Sequence, residues 1–252
     1  MKVAVCTPRC GPPSWHYHDS MVRWQIHHYM LHPDIGTIHM HPSRVLPIDT
    51  ARNMLVAQFL KSDAEWMWCV DQDAAWLAGT LDRLMGRDLP IVTALEMMRL
   101  PQCALPMALE DREEQGKYRV QTSEIYRFIG EHYDYTSNEP QMLGEPVPHD
   151  SLLLTGFTGC HCLLIKREVV AQMESPWFQG FGPGGEDQYF CEKAAALGIP
   201  THVDLSVLVG HASTDRIIGA FDFMAGYRFL DAVERLEQVE SGELQEWHDG
   251  EG

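Results

Sequence analysis

The sequence predicts an α/β fold, a mainly parallel sheet flanked by helices, and three observations carry that expectation. Short apolar runs of strand character alternate along the chain with stretches of helical periodicity, and no internal repeat interrupts them. The run Trp66 to Val70, "WMWCV", is apolar and aromatic throughout, as a strand covered on both faces must be. The 252 residues, 45% of them hydrophobic, suffice for one full core with an appendage and are too few for two equal domains. We therefore expect one domain over residues 1–216, containing a variable excursion at 101–148, and an amphipathic helix with an acidic tail over 217–252.

"KVAVCTP" is the first strand, ending near Pro8 and Gly11, and "HDSMVRWQIHHYML" the helix after it. "IDTARNMLVAQFLKS" reads as a second helix, capped by Asp49 or Thr50, with Met54, Leu55, Phe59 and Leu60 as its apolar stripe. The Trp66 strand follows, then a helix over about Leu77 to Met85 and the strand "LPIVTAL", completing a βαβαβ series with right-handed crossovers expected. Residues 101–148 are polar and Pro-containing, with the charge run "EDREEQGK", and read as a solvated excursion of turns and short strands. "LLLTGFTGCHCLLIK" supplies two short strands around a Gly-rich bend, and "KREVVAQM" a helix. A helix opened by Glu186 and Asp187 runs to Gly198, its stop signal, and a strand or strand pair then ends at His211. Ile217 to about Val239 reads as a long amphipathic helix through Ile218, Phe221, Met224, Phe229 and Leu236.

Composition narrows the function. A formal net charge of -17 disfavours sequence-blind binding to nucleic acid or anionic membrane, both of which draw on Lys and Arg fields. Seven cysteines in no even framework, with no CxxC pair, point to a reducing compartment. Cys160 and Cys162, two apart, are expected on one face of a strand as core or crevice lining. The amino terminus has too short an apolar run for a signal peptide, and no stretch reaches the length of a spanning helix, so the expectation is a cytoplasmic protein.

Two charged constellations follow. Asp71 and Asp73 stand one residue apart at the carboxyl end of the Trp66 strand, where an open α/β sheet presents its ligand crevice. Asp also closes strands and opens turns, so the pair by itself is more often structural than functional. Glu186 and Asp187 likewise have a sufficient structural reason, since carboxylates favour a helix amino terminus. His211, at a strand end, admits both readings.

"VDQD" after a central strand, "GEDQYFCEKAAALGIP" opening a helix and a His after the next strand, in that order, resemble the GT-A fold of nucleotide-sugar-dependent glycosyltransferases. "IDTARNMLVAQFL" resembles the small single-domain bacterial and phage members, and the likeness covers roughly Lys2 to Ser213. The resemblance implies a Rossmann-like GT-A domain with a nucleoside diphosphate sugar, UDP foremost, as donor. It implies a divalent cation on Asp71, Asp73 and His211, Asp71 also serving the ribose. Thr7, Pro8 and Arg9, with Arg52, Asn53 and Gln72, would lie beside the nucleotide, although a first-turn arginine such as Arg52 could equally face solvent. Asp187 would be the general base in an inverting reaction, and Glu186 or Asp187 would position the acceptor in a retaining one. A hard divalent ion neutralises a departing diphosphate, and mixed O and N ligands suit Mn²⁺ better than Mg²⁺.

Three alternatives stay open: the same transfer to a modified base in phage DNA, a metal-dependent nucleotidyltransferase, and a non-catalytic sugar-nucleotide-binding protein. The nucleotidyltransferase reading lacks a Gly-rich basic loop near the first strand, for which "TPRCGPP" is a poor match. The binding-protein reading has no need of Asp187. "HYH", "HH" and "HMH" in the first 41 residues lack the spacing of a zinc site. The acceptor, an unknown hydroxyl compound, leaves no mark in the sequence.

Overall fold

The computed structural model describes residues 1–99, 104–106, 108–112, 117–134, 141–142, 151–180, 185–212 and 217–219. β1 (Lys2–Cys6) leads to α1 (Trp15–Leu31), whose cap Ser14 accepts from Tyr17 N–H through its hydroxyl at 3.0 Å. Then come β2 (Gly36–Met40), α2 (Ile48–Lys61), β3 (Trp66–Val70), β4 (Ala74–Ala75), α3 (Thr80–Gly86) and β5 (Ile91–Leu95). The excursion contributes β6 (Met97–Arg99), β7 (Ala104–Pro106), β8 (Ala108–Arg112), β9 (Lys117–Val120), α4 (Thr122–His132), β10 (Tyr133–Asp134) and β11 (Gln141–Met142). β12 (Leu152–Thr155), β13 (Phe157–Thr158), β14 (Cys162–Lys166), α5 (Arg167–Gln172), α6 (Gly185–Ala196), β15 (Thr201–Leu208), β16 (Gly210–Ala212) and β17 (Ile217–Ile218) follow.

Seven strands form one sheet in the order β12-β15-β5-β14-β3-β1-β2. β1, β2, β3, β5 and β15 run one way, and β14 and β12 run against them. The sheet is mixed and mostly parallel with helices on both faces, the Rossmann-like arrangement expected of a GT-A fold.

The strands read as unbroken apolar runs because alternate residues serve two cores. Ala4, Cys6, Met67, Cys69, Leu163 and Ile165 pack with Leu55 and Phe59 of α2, Val169 of α5 and Phe190 of α6. Val3, Val5, Trp66, Trp68, Val70 and Leu164 pack on the other face with Trp24 of α1 and Leu81 and Leu84 of α3. Cys160 joins the first core and Cys162 the second, because β14 begins only at Cys162; the expectation of one shared face fails, though both are buried.

Other details depart from the sequence reading. α2 is capped by Pro47, not by Asp49 or Thr50; the Asp49 carboxylate instead accepts from Thr50 N–H at 2.6 Å. β2 and α4 were not anticipated. α4 buries Ile125, Phe128 and Ile129, spaced three and four apart, against Leu95, Val203 and Leu205, so part of the excursion is core and not a solvated loop. Ile217 and Ile218 pair as a strand with Ala212 and His211 and so do not open a helix; the rest of the expected C-terminal helix lies outside the described residues. Gly198 stops α6 at φ +72°, as its position implied. Among the described residues no helix is long and apolar enough to cross a membrane.

Candidate metal centre and acid cluster

The carboxyl edge of the sheet gathers the charged residues. Asp71 follows β3, and its N–H donates to the His161 carbonyl at 3.0 Å, so the end of β3 and the start of antiparallel β14 are fastened together. A turn closed by Ala74 N–H on Asp71 O at 3.1 Å swings the chain into β4, which pairs with β16 and sets His211 opposite Ala74. This pairing brings His211 to Asp73 across 138 residues: Nε2 lies 3.1 Å from Asp73 Oδ2. His161 Nδ1 lies 3.6 Å from Asp73 Oδ1 and 3.6 Å from Asp71 Oδ2. Asp73, His161 and His211 thus offer three ligand atoms within 4.8 Å of one another.

The far nitrogens of both rings face backbone carbonyls. His161 Nε2 is 3.2 Å from Gly210 O, and His211 Nδ1 is 3.2 Å from Met97 O. A carbonyl only accepts, so each of these nitrogens carries the proton, and in the neutral rings the lone pairs of His161 Nδ1 and His211 Nε2 point toward Asp73. Fixing the tautomer through the outer nitrogen is how proteins orient imidazole ligands. The donor set therefore fits a divalent transition ion held by two imidazoles and a carboxylate. Without an ion, burial opposes a charge on His161, but Asp71, Glu96 and Asp73 outweigh it and raise its pKa to about 9.

The second group surrounds Arg52, in the first turn of α2. It is 2% exposed, which removes the solvent-facing alternative. Its Nη2 donates to Asp71 Oδ2 at 3.1 Å and lies 3.7 Å from Asp187 Oδ1; Nε reaches Glu186 Oε1 at 3.4 Å and Nη1 the Cys160 carbonyl at 3.4 Å. Burial works against Asp71 ionising, yet Arg52 and His161 hold its pKa below the usual value. Burial raises Asp187 to about 6, partly offset by Arg52.

Glu96, the residue after β5, is 3% exposed, and burial pushes its pKa to about 8. A Cβ at Gly159 would overlap its Oε1, so any larger residue there requires the Glu96 carboxyl to move. Asp71 Oδ1, Glu96 Oε2 and Asp187 Oδ1 are all buried without a hydrogen-bond partner. Buried unpaired carboxylate oxygens are costly, and three in one crevice mark a place arranged for something other than stability.

The remaining sequence candidates are placed as follows. Thr7 Oγ1 shares a hydrogen bond with Tyr17 OH at 2.9 Å, Pro8 is buried, and Arg9 is exposed with Nη1 3.5 Å from Ser43 O, all at the end of β1. Gln72 Oε1 accepts from the N–H groups of Cys10 and Gly11 at 3.0 and 3.2 Å, tying the loop after β1 to the turn after β3. Asn53 is engaged on both sides of its amide: Oδ1 accepts from Trp177 and Phe178 N–H at 2.8 and 3.1 Å, and Nδ2 donates to Phe178 O at 2.7 Å. His161 and Glu96 belong to the site without having been singled out from sequence. Each is a lone polar residue at the end of an apolar strand, which is the one signal that could have exposed them.

No protein-family model matches the sequence, and no curated protein is similar to it. Among solved structures the chain is similar to "Crystal Structure of A197 from STIV", with a TM-score of 0.49 and 14% identity over 88% of this chain and 92% of that one. It is also similar to "Crystal structure of GalNAc-T7 with UDP, GalNAc and Mn2+", with a TM-score of 0.46 and 12% identity over 84% of this chain and 43% of that one.

Proposed function

We propose that the chain is a metal-dependent glycosyltransferase that moves a sugar from a nucleoside diphosphate, UDP foremost, to a hydroxyl acceptor. One observation carries the reading: Asp73, His161 and His211 converge at the carboxyl edge with both imidazole tautomers fixed by Met97 and Gly210 carbonyls. Mn²⁺ suits this donor set better than Mg²⁺, and when bound it would supply positive charge to a departing diphosphate. Asp73, His161 and His211 hold the ion, and Asp71, turned toward Arg52, shares its free oxygen with the ribose hydroxyls. The nucleoside lies across the end of β1 near Thr7, Pro8 and Arg9. Asp187 takes the acceptor proton, a role that suits a carboxyl raised to about 6, ionised at neutral pH yet more basic than an ordinary carboxylate.

Calorimetry with UDP tests the metal half. Binding should require Mn²⁺ and vanish in EDTA, Asp73→Ala and His161→Ala should each abolish the metal-dependent part, and equal affinity with and without metal overturns the reading. Asp187→Asn separates catalysis from binding: transfer should fall by roughly a hundredfold or more with donor affinity retained. Undiminished transfer in that variant overturns the assignment of Asp187 as base, release of pyrophosphate from a nucleoside triphosphate favours the nucleotidyltransferase reading, and nucleotide binding with no turnover in the wild type favours the binding protein. A modified DNA base as acceptor would show as sugar incorporated into hydroxymethylated duplex.

A further inference from the structure

Among the described residues Arg52 is turned inward, toward carboxylates and a backbone carbonyl. Its guanidinium is enclosed, and its nitrogens face Asp71 after β3, Glu186 and Asp187 at the start of α6, and the Cys160 carbonyl before β14. The same helix turn fastens the chain that leads into α6. Asn53 holds Trp177 and Phe178, Asp49 Oδ2 accepts from Gly180 N–H at 3.4 Å, and the Arg52 guanidinium lies 5.8 Å from the centroid of the Phe178 ring. α2 is thus a frame against which the acids of α6 are set, with Arg52 at its tip.

We propose that Arg52 is a positioning residue, whose buried guanidinium clamps Asp71 on the metal side to Glu186 and Asp187 on the acceptor side and so holds the two halves of the crevice together. The proposal rests on the glycosyltransferase reading for the names of those halves, and on geometry alone for the clamp. A planar fork with fixed donors serves several carboxylates at once, which an ammonium group does not.

The clamp also sets the charge of Asp187. The groups that act on Asp187 include Arg52 from α2, Cys69 of β3, Asp71 after β3, Glu96 after β5, Cys160 before β14, and Glu186 and Cys191 of α6; Arg52 alone among these is a cation. Removing Arg52 leaves burial and like charges opposed only by the hydrogen bond from Cys160, so Asp187 then takes up its proton at higher pH.

Arg52→Met, Arg52→Lys and Glu186→Gln test this through two readouts: the pH profile of transfer, or of donor hydrolysis, and the Asp187 side-chain carboxyl carbon followed by NMR in metal-free protein. Arg52→Met should move the acid limb and the NMR titration of Asp187 together to higher pH, costing roughly tenfold in rate for each pH unit below the new limb. Arg52→Lys should restore the limb toward its wild-type position. Glu186→Gln removes a like charge and releases Arg52 Nε, so it should move both readouts to lower pH, and it keeps the test alive if Arg52→Met does not fold. A uniform loss of rate at every pH with an unmoved Asp187 titration, or no movement in Glu186→Gln, overturns the clamp. A wild-type chain that turns over no sugar nucleotide defeats the functional reading, while the NMR titrations still decide the role of Arg52.

Discussion

Glu96 is a buried carboxyl that holds its proton where an exposed one would not, and that has a thermodynamic cost. In the folded chain it stays protonated up to about pH 8, whereas unfolding returns it to its ordinary value of 4.5. Between those limits the unfolded chain binds fewer protons, so this residue makes stability fall as pH rises. Glu96→Gln removes the effect. In EDTA its melting temperature relative to wild type should climb steadily from about pH 5 to about pH 8, by roughly 2–4 °C for each kcal/mol recovered. A constant difference across that range would show that Glu96 is ionised in the folded state. Asp71, Asp73, Glu186, Asp187 and His211 were legible in the sequence because each closes an apolar run or opens a helix, and those places belong to the sheet's ligand edge. His161 and Glu96 were not, because their meaning comes from partners brought close by β14 lying between β3 and β5. For Arg52 nothing in the pattern chooses between solvent and ligand; burial between three carboxylates fits neither.

Among the elements, α2 is tied to the chain before α6 largely through one side chain. Asn53 supplies partners to two N–H groups and one carbonyl of the segment before α6, and Asn53→Ala strips all three of them. Each unmet backbone group in a partly buried place costs about 1–3 kcal/mol, so urea unfolding should show a clearly lowered midpoint. Transfer should fall further than UDP affinity, because the loosened segment leads to Glu186 and Asp187 and not to Asp73. Equal losses in both would place Asn53 at the nucleotide, as the sequence resemblance implied. β3 was legible from its unbroken apolar character and α6 from its acidic opening and glycine stop; β2 was missed because its sequence "GTIHM" is half polar, as an edge strand tolerates. α4 was missed because the charges and prolines around it masked a clean three-and-four spacing of Ile125, Phe128 and Ile129.

At the scale of the whole molecule, the alternation of apolar runs and helical stretches was enough to announce a mostly parallel sheet, since covered strands must be apolar on both faces. It could not announce strand order, because order depends on which run pairs with which, and that is settled by packing far along the chain. β14 illustrates the point: it lies antiparallel between β3 and β5 and hydrogen-bonds to both, although β6 to β13 intervene in sequence between β5 and it. A ribosome that has delivered everything through β11 has made β3 and β5 without the strand that joins them. The nascent chain therefore carries the three-stranded piece β2-β1-β3 with an open edge and β5 with neither of its sheet neighbours, and the slow, long-range step of folding is the arrival of β14 and β15 on either side of β5. A fragment of residues 1–150 should consequently melt without a cooperative transition and give weak near-ultraviolet dichroism from Trp66 and Trp68, while the chain through residue 219 gives both. A sharp melt of the short fragment would mean that β3 and β5 pair directly and are later prised apart. If they are not, the candidate metal centre is among the last parts of the sheet's edge to be made, because His161 arrives just ahead of the strand that joins β3 to β5 and His211 later still, on β16.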